Sequence, residues 1–145
     1  MLVADLNWSN GPFELLGEGG AVFFDPTTQK IGDQETPLNG AMWGYYLEGH
    51  YHLFPEFLKN SWLGDGFEQP VFTLFGRVSQ VDTDTSQLNL NDRTRLTLGL
   101  NFRPMTNVVF KLEYQWNIEN EAIIKNDPSK EFANNTLLAS VAAGF

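Results

Sequence analysis

The chain has 145 residues, no cysteine and a formal net charge of -9. That length suits one domain with a sizeable core, and the lack of cysteine excludes disulfides and thiolate metal sites. The acidic balance argues against nucleic acid as a partner and against adsorption to anionic lipid, because both need clustered Lys and Arg.

Aromatic residues make up 14% of the chain. Asn, Thr and Gly are spread through it, a β-rich composition with aromatics to spare for a membrane interface. No apolar run approaches the roughly 20 residues of a membrane-spanning helix. The mean hydropathy is slightly negative, which a transmembrane β-barrel shares with soluble proteins because only alternate residues face lipid. Residues 1–6 carry no basic segment, long apolar core or small-residue cleavage site. They are therefore not a signal peptide, and an exported protein would carry one further upstream.

Period-two alternation then recurs along the chain. Residues 2–8 place Leu2, Ala4, Leu6 and Trp8 on one face and Asp5 and Asn7 on the other. Residues 13–24 continue it, with Phe13, Leu15, Ala21 and Phe23 against Glu14 and Glu18. In residues 41–53, Trp43, Tyr45, Leu47, Tyr51 and Leu53 oppose Tyr46, Glu48, His50 and His52. In residues 71–79, Phe72, Leu74 and Val78 oppose Thr73, Phe75, Arg77 and Ser79. Residues 93–103 set Leu96, Leu98, Leu100 and Phe102 against Arg93, Arg95, Thr97, Asn101 and Arg103. Residues 107–119 alternate almost without fault: Val108, Phe110, Leu112, Tyr114, Trp116 and Ile118 against Val109, Lys111, Glu113, Gln115, Asn117 and Glu119. The last strand ends on Phe145, with Leu137, Ala139, Val141 and Ala143 on its face. Such alternation is the signature of strands with one apolar and one wet face.

The connections differ in length. Residues 9–11 and 104–106 read as tight turns, while 25–39, 82–92 and 120–134 are longer and polar. If Phe145 is periplasmic, the tight turns fall on that side and the polar connections outside, as in outer-membrane barrels. Residues 55–70 fall on the short-turn side yet are long. Their Phe57, Leu58, Trp62, Leu63 and Phe67 predict a segment that packs or touches the interface.

The expected fold is all-β: an antiparallel meander of about seven strands from a transmembrane β-barrel, one domain over residues 1–145. A soluble sandwich also alternates. Strand length, aromatics near strand ends and both signs of charge on the polar face favour the membrane barrel. Single-chain bacterial barrels have an even number of strands, so the expected barrel is incomplete here and these residues form its C-terminal portion.

The ending Leu137-Leu138-Ala139-Ser140-Val141-Ala142-Ala143-Gly144-Phe145 resembles the C-terminal signature of bacterial outer-membrane proteins. Several longer stretches resemble phosphate-selective porins of the O and P type: Gly44-Tyr45-Tyr46-Leu47-Glu48, Val71-Phe72-Thr73-Leu74-Phe75-Gly76-Arg77-Val78, and Leu98-Gly99-Leu100-Asn101-Phe102-Arg103-Pro104. So do Asn107-Val108-Val109-Phe110-Lys111-Leu112-Glu113-Tyr114 and, upstream, Ala4-Asp5-Leu6-Asn7-Trp8. The resemblance implies an outer-membrane channel embedded in lipid, with passive diffusion of small hydrophilic or anionic solutes. It also implies recognition of Phe145 by the barrel assembly machinery, and it allows a homotrimer. These are strand motifs, specific for architecture and weak for substrate. The aromatic connection at 55–70 departs from the pattern, and no lysine cluster for phosphate selectivity stands in the chain.

Arg77, Arg93, Arg95, Arg103 and Lys111 are the expected pore-lining cations. Either they form a charge ladder that sets ion preference or they pair with acids. Glu113 is placed within diagonal reach of Arg95. Glu48 and His50 complete the expected pore lining. His50 and His52 lie two apart on one strand face, a spacing that suits two metal ligands, and Glu48 joins that face. No ligand from another strand can be placed beside them, so a polar wall without metal or cofactor is the expectation. Glu14, Glu18 and Glu48 lack a companion nucleophile or pocket, and no catalytic motif is present, so no enzyme is expected. The alternative function is a soluble antiparallel β-barrel that binds a small ligand, which would bury Leu96, Leu98 and Leu100 in a core.

Overall fold

The computed structural model describes residues 1–23, 27–31, 34–38, 40–83, 85, 93–119 and 134–144, with backbone alone for 27–31, 34–38 and 119. Its strands are β1 (Leu2–Asn10), β2 (Phe13–Phe23), β3 (Thr27–Ile31), β4 (Gln34–Leu38), β5 (Ala41–Leu53), β6 (Val71–Asp82), β7 (Arg93–Met105), β8 (Val108–Glu119) and β9 (Thr136–Ala143). Seven of them form one sheet in the order β1-β2-β5-β6-β7-β8-β9. Each pair of neighbours is antiparallel. This is the expected all-β meander. The sheet is not closed, consistent with an incomplete barrel: β1 and β9 are its edges. Among the described residues, β3 and β4, which follow β2 and precede β5 in sequence, pair only with each other. That ladder stands within the expected loop 25–39. Its sequence, TTQKI and QETPL, has no apolar alternation, the signal by which the other strands are legible.

The register keeps the two faces separate across the sheet. Phe13 stands opposite Tyr51, Tyr51 opposite Leu74, Leu74 opposite Leu100, and Leu100 opposite Leu112. Every member of that row is apolar or aromatic, and a one-residue slip anywhere would send half the row to the other face. The exposure is inverted relative to a soluble sheet. Leu74 and Leu98 are each 50% exposed and Leu112 is 48% exposed, whereas Glu48 is 6% and Thr97 3% exposed. Phe75 is also buried, and it too lies on the polar-facing side. Among the described residues, no second sheet covers the apolar face; the connection after β5 reaches it at one end, where Leu58 lines a recess with Phe72, Leu74 and Leu100.

Aromatic rings collect at the two ends of that face. Phe54, Phe72, Phe102 and Phe110 form a run with centroid spacings of 6.0, 4.5 and 6.4 Å. Phe13 and Tyr51 meet at 4.9 Å near the same end. At the opposite end Trp43 stacks on Tyr45 at 6.0 Å, and Tyr114 meets Trp116 at 4.4 Å. Six to eight residues separate the groups on β5 and four to six on β8, about 13–26 Å along a strand.

The turns follow from local chemistry. Gly11 has φ 58, and the Gly11-Pro12 pair closes the β1–β2 hairpin; a positive φ at that position favours Gly. The β7–β8 turn is Thr106-Asn107 rather than 104–106, and the register shifts between Phe102 and Met105. Residues 55–70 hold a 3-10 turn (Glu56–Leu58) and a single helical turn, α1 (Trp62–Asp65), capped by the Ser61 hydroxyl accepting from the Leu63 amide. Phe67 of that connection packs on Phe102 at 6.1 Å, while Phe57 and Trp62 stay exposed.

Gly99 has a steric task. Its partner across β6–β7 is Phe75, whose ring lies where a Cβ on Gly99 would stand. Strand propensity alone favours Val over Gly. Gly99→Val is nevertheless expected to destabilise the folded protein by about 1–3 kcal/mol through overpacking. Urea unfolding in lipid vesicles checks the sign.

Candidate functional site

Antiparallel register brings polar-face residues of three strands together. Glu14 on β2 stands opposite His50 on β5, Glu48 on β5 opposite Arg77 on β6, and His52 opposite Thr73. The side chains meet as that order requires. His50 Nδ1 lies 3.2 Å from Glu14 Oε2, and His50 Nε2 lies 2.6 Å from Glu48 Oε1. The Arg77 guanidinium donates from Nε to Glu48 Oε2. His52 Nε2 lies 3.4 Å from Glu14 Oε2, and its Nδ1 lies 2.8 Å from Thr73 Oγ1. The ring of Phe75 meets His50 edge-on at 5.8 Å and closes one side.

The energetic centre is Glu48, whose side chain is only 7% exposed. A buried carboxylate costs several kcal/mol unless it is paired and hydrogen-bonded. Both of its oxygens have partners, Arg77 on one and His50 on the other. Arg77 is further held over the Tyr46 ring at 5.1 Å, a favourable cation–π placement.

The expected cations divide into groups. Arg77 is paired with Glu48, as the pairing alternative for these cations has it. Arg95 donates to Asn117 Oδ1 at 2.6 Å, and Asn117 is itself held by Asn134 O at 2.7 Å and Asn135 Oδ1 at 3.0 Å. Arg77, Arg93 and Arg95 line one recess of about 540 Å³ together with Glu18, Tyr46 and Asn117. Arg103 stands opposite Val71 and Lys111 opposite Asn101, toward the other end of the strands. Eight residues separate Arg95 from Arg103, about 26 Å along β7. One compact basic patch therefore does not include all five.

The expected diagonal pairing of Glu113 with Arg95 is not made. Arg95 stands opposite Asn117, whereas Glu113 stands opposite Gly99, four positions away. A hairpin closed at 104–106 would put Glu113 on the diagonal. The Thr106-Asn107 turn and the irregularity after Phe102 move the register by two. The expected assembly signal, Phe145, lies outside the described residues, as do most of the polar connections 82–92 and 120–134. Sequence reasoning missed Glu14 as the third member beside His50 and His52. The long connection between β2 and β5 hides their register, so only the shared inward parity of Glu14 hinted at it.

Compared with known proteins, the chain matches no family model, no curated protein and no solved structure.

Because Glu48 depends on Arg77, removing one partner is expected to cost more than removing both charges. Arg77→Gln should lower stability by about 1.5–3 kcal/mol, the range for a hydrogen bond to a charged group. Adding Glu48→Gln should restore part of that loss. Equilibrium unfolding of the two variants in detergent micelles tests the order.

Proposed function

We propose that the chain forms part of the wall of a bacterial outer-membrane β-barrel channel, in which the apolar face meets lipid and the polar face lines a water-filled passage for small hydrophilic or anionic solutes. The observation that carries the reading is the inverted exposure: leucines about half exposed on one face, and Glu48 and Thr97 buried on the other. Water would make the exposed face unfavourable, at roughly 25 cal/mol per Å² of apolar surface, whereas lipid removes that cost. A soluble ligand-binding barrel would instead bury Leu96, Leu98 and Leu100.

Strand length supports the same reading. β2, β5, β6, β7 and β8 run 11, 13, 12, 13 and 12 residues, enough for a tilted strand to cross a bilayer, which takes about 9–11. The two aromatic groups suit the girdles at the two interfaces of such a barrel. The exposed Phe57 and Trp62, on the tight-turn side, suit the headgroup layer there. In this reading the resemblance to phosphate-selective porins of the O and P type is one of architecture. The C-terminal strand would engage the barrel assembly machinery, and no catalytic chemistry is proposed.

The recess of Arg77, Arg93 and Arg95 sits on the proposed lumen wall. In a narrow low-dielectric passage, local charge outweighs the net charge of the chain. The full-length protein in planar bilayers is expected to give stepwise conductance. Replacing Arg93 and Arg95 with Ser should move its reversal potential toward cations without harming assembly, because neither side chain belongs to the apolar face. Stepwise conductance with an unchanged reversal potential in folded variants would make these arginines structural. A full-length protein that stays soluble and monomeric without detergent would sink the channel reading altogether.

A further inference from the structure

Glu14, His50 and His52 converge on a point. Their ligand atoms, one carboxylate oxygen and two imidazole nitrogens, all lie within 4.8 Å of one another. Glu14 Oε2 is 3.2 Å from His50 Nδ1 and 3.4 Å from His52 Nε2. Two ligand atoms bound to one zinc ion at about 2.0–2.2 Å and a tetrahedral angle would stand roughly 3.3–3.6 Å apart. The spacing of the two Glu14 contacts is therefore close to the edge of a metal tetrahedron.

The outer nitrogens are held as metal-bound imidazoles require. His50 Nε2 faces Glu48 Oε1 at 2.6 Å. An ionised carboxylate can only accept, so Nε2 carries the proton and Nδ1 is the atom turned to Glu14. His52 Nδ1 faces Thr73 Oγ1 at 2.8 Å, which leaves Nε2 turned to Glu14. A carboxylate, or another oxygen acceptor, behind each imidazole is the common outer arrangement of a histidine metal site. Arg77 on the far oxygen of Glu48 fixes that carboxylate in turn.

Charge accounting points the same way. Oε2 of Glu14 and Nδ1 of His50 are both acceptors unless a positive charge lies between them. A proton can satisfy that one contact. A metal ion satisfies it as well and can take in His52, whose Nε2 otherwise donates to the same Glu14 oxygen while Thr73 donates to Nδ1. The side chains of Glu14 and His52 are 30% and 35% exposed, so water can reach the point and supply a further ligand.

We propose that Glu14, His50 and His52 form a binding site for one divalent transition-metal ion, zinc by preference, on the polar face of β2 and β5. Two imidazoles and one carboxylate suit zinc and its neighbours, not magnesium or calcium, which take oxygen ligands. The open position fits an exchangeable ion with bound water. The site stands apart from the channel proposal: it needs only the described geometry, and a channel without metal would leave the channel reading intact.

The test uses the full-length protein folded in detergent micelles and freed of metal by chelation. Calorimetric titration with Zn²⁺ should give one ion per chain. Co²⁺ should give the visible absorption of a low-symmetry, four- or five-coordinate ion, displaced by Zn²⁺. Mg²⁺ should not compete. His52→Ala and Glu14→Gln should each weaken Zn²⁺ binding by more than about 100-fold, and Thr73→Val, behind His52, by about 10-fold, within the range for outer partners. Glu18→Gln, on the same face of β2 but outside the cluster, should leave binding unchanged. X-ray absorption of the zinc-loaded natural sequence, which needs no variant to fold, should show two imidazoles per zinc. Absence of stoichiometric binding by the natural sequence overturns the proposal, as does binding that survives both ligand substitutions or an absorption spectrum without imidazole.

Discussion

Interstrand hydrogen bonding is the constraint on which the remaining structure depends. In a strand every residue offers an N–H and a C=O, and each must find a partner wherever water is excluded. Long antiparallel ladders satisfy that demand between adjacent strands of the meander, and among the described residues of that sheet the outer edges of β1 and β9 alone lie without a ladder. Once the ladders are set, the pleat sends alternate side chains to opposite faces. The chain then needs only to place apolar residues at one parity and polar residues at the other. It does so with few departures, so the register of each pair and the chemistry of each face support one another.

The polar face carries more than scattered charge. Charges there are organised by cross-strand pairs, the unit of sheet stabilisation. Glu48 is buried among partners on two strands, and Thr97 and Phe75 fill the surface beside it. The Phe75 ring lies over Gly99 because no side chain occupies that place. Packing at this point makes room for the polar network instead of replacing it. The same network positions the two histidines, so the chemistry of this face and its stability share residues.

Much of this was legible in the sequence. Period two identified all seven strands of the sheet and the membership of each face, because each of these strands carries apolar residues at alternate positions. The β3–β4 ladder was not legible, since TTQKI and QETPL have no apolar parity. Pairing of Arg77 with an acid was foreseen as an alternative, but its partner was not, and Glu113 was misplaced. Both failures concern register, which turns and bulges set, and the irregularity after Phe102 leaves no mark in the alternation. Glu14 was missed as a companion of the histidines for a related reason: a long connection separates β2 from β5, and sequence distance says nothing about which residues stand opposite.

The central claim is that the apolar face meets lipid and the polar face meets water. The chain has no cysteine, so a single cysteine placed along β7 is the one thiol within it. Full-length variants with Cys at 95, 96, 98, 100 and 103, assembled in bilayers, can be treated with a charged, membrane-impermeant thiol reagent. The account predicts labelling at 95 and 103, which are exposed on the polar face, protection at 96, 98 and 100, and the reverse order with a lipid-soluble reagent. Rapid labelling of 96, 98 and 100 by the charged reagent, or uniform labelling along the strand, would contradict it.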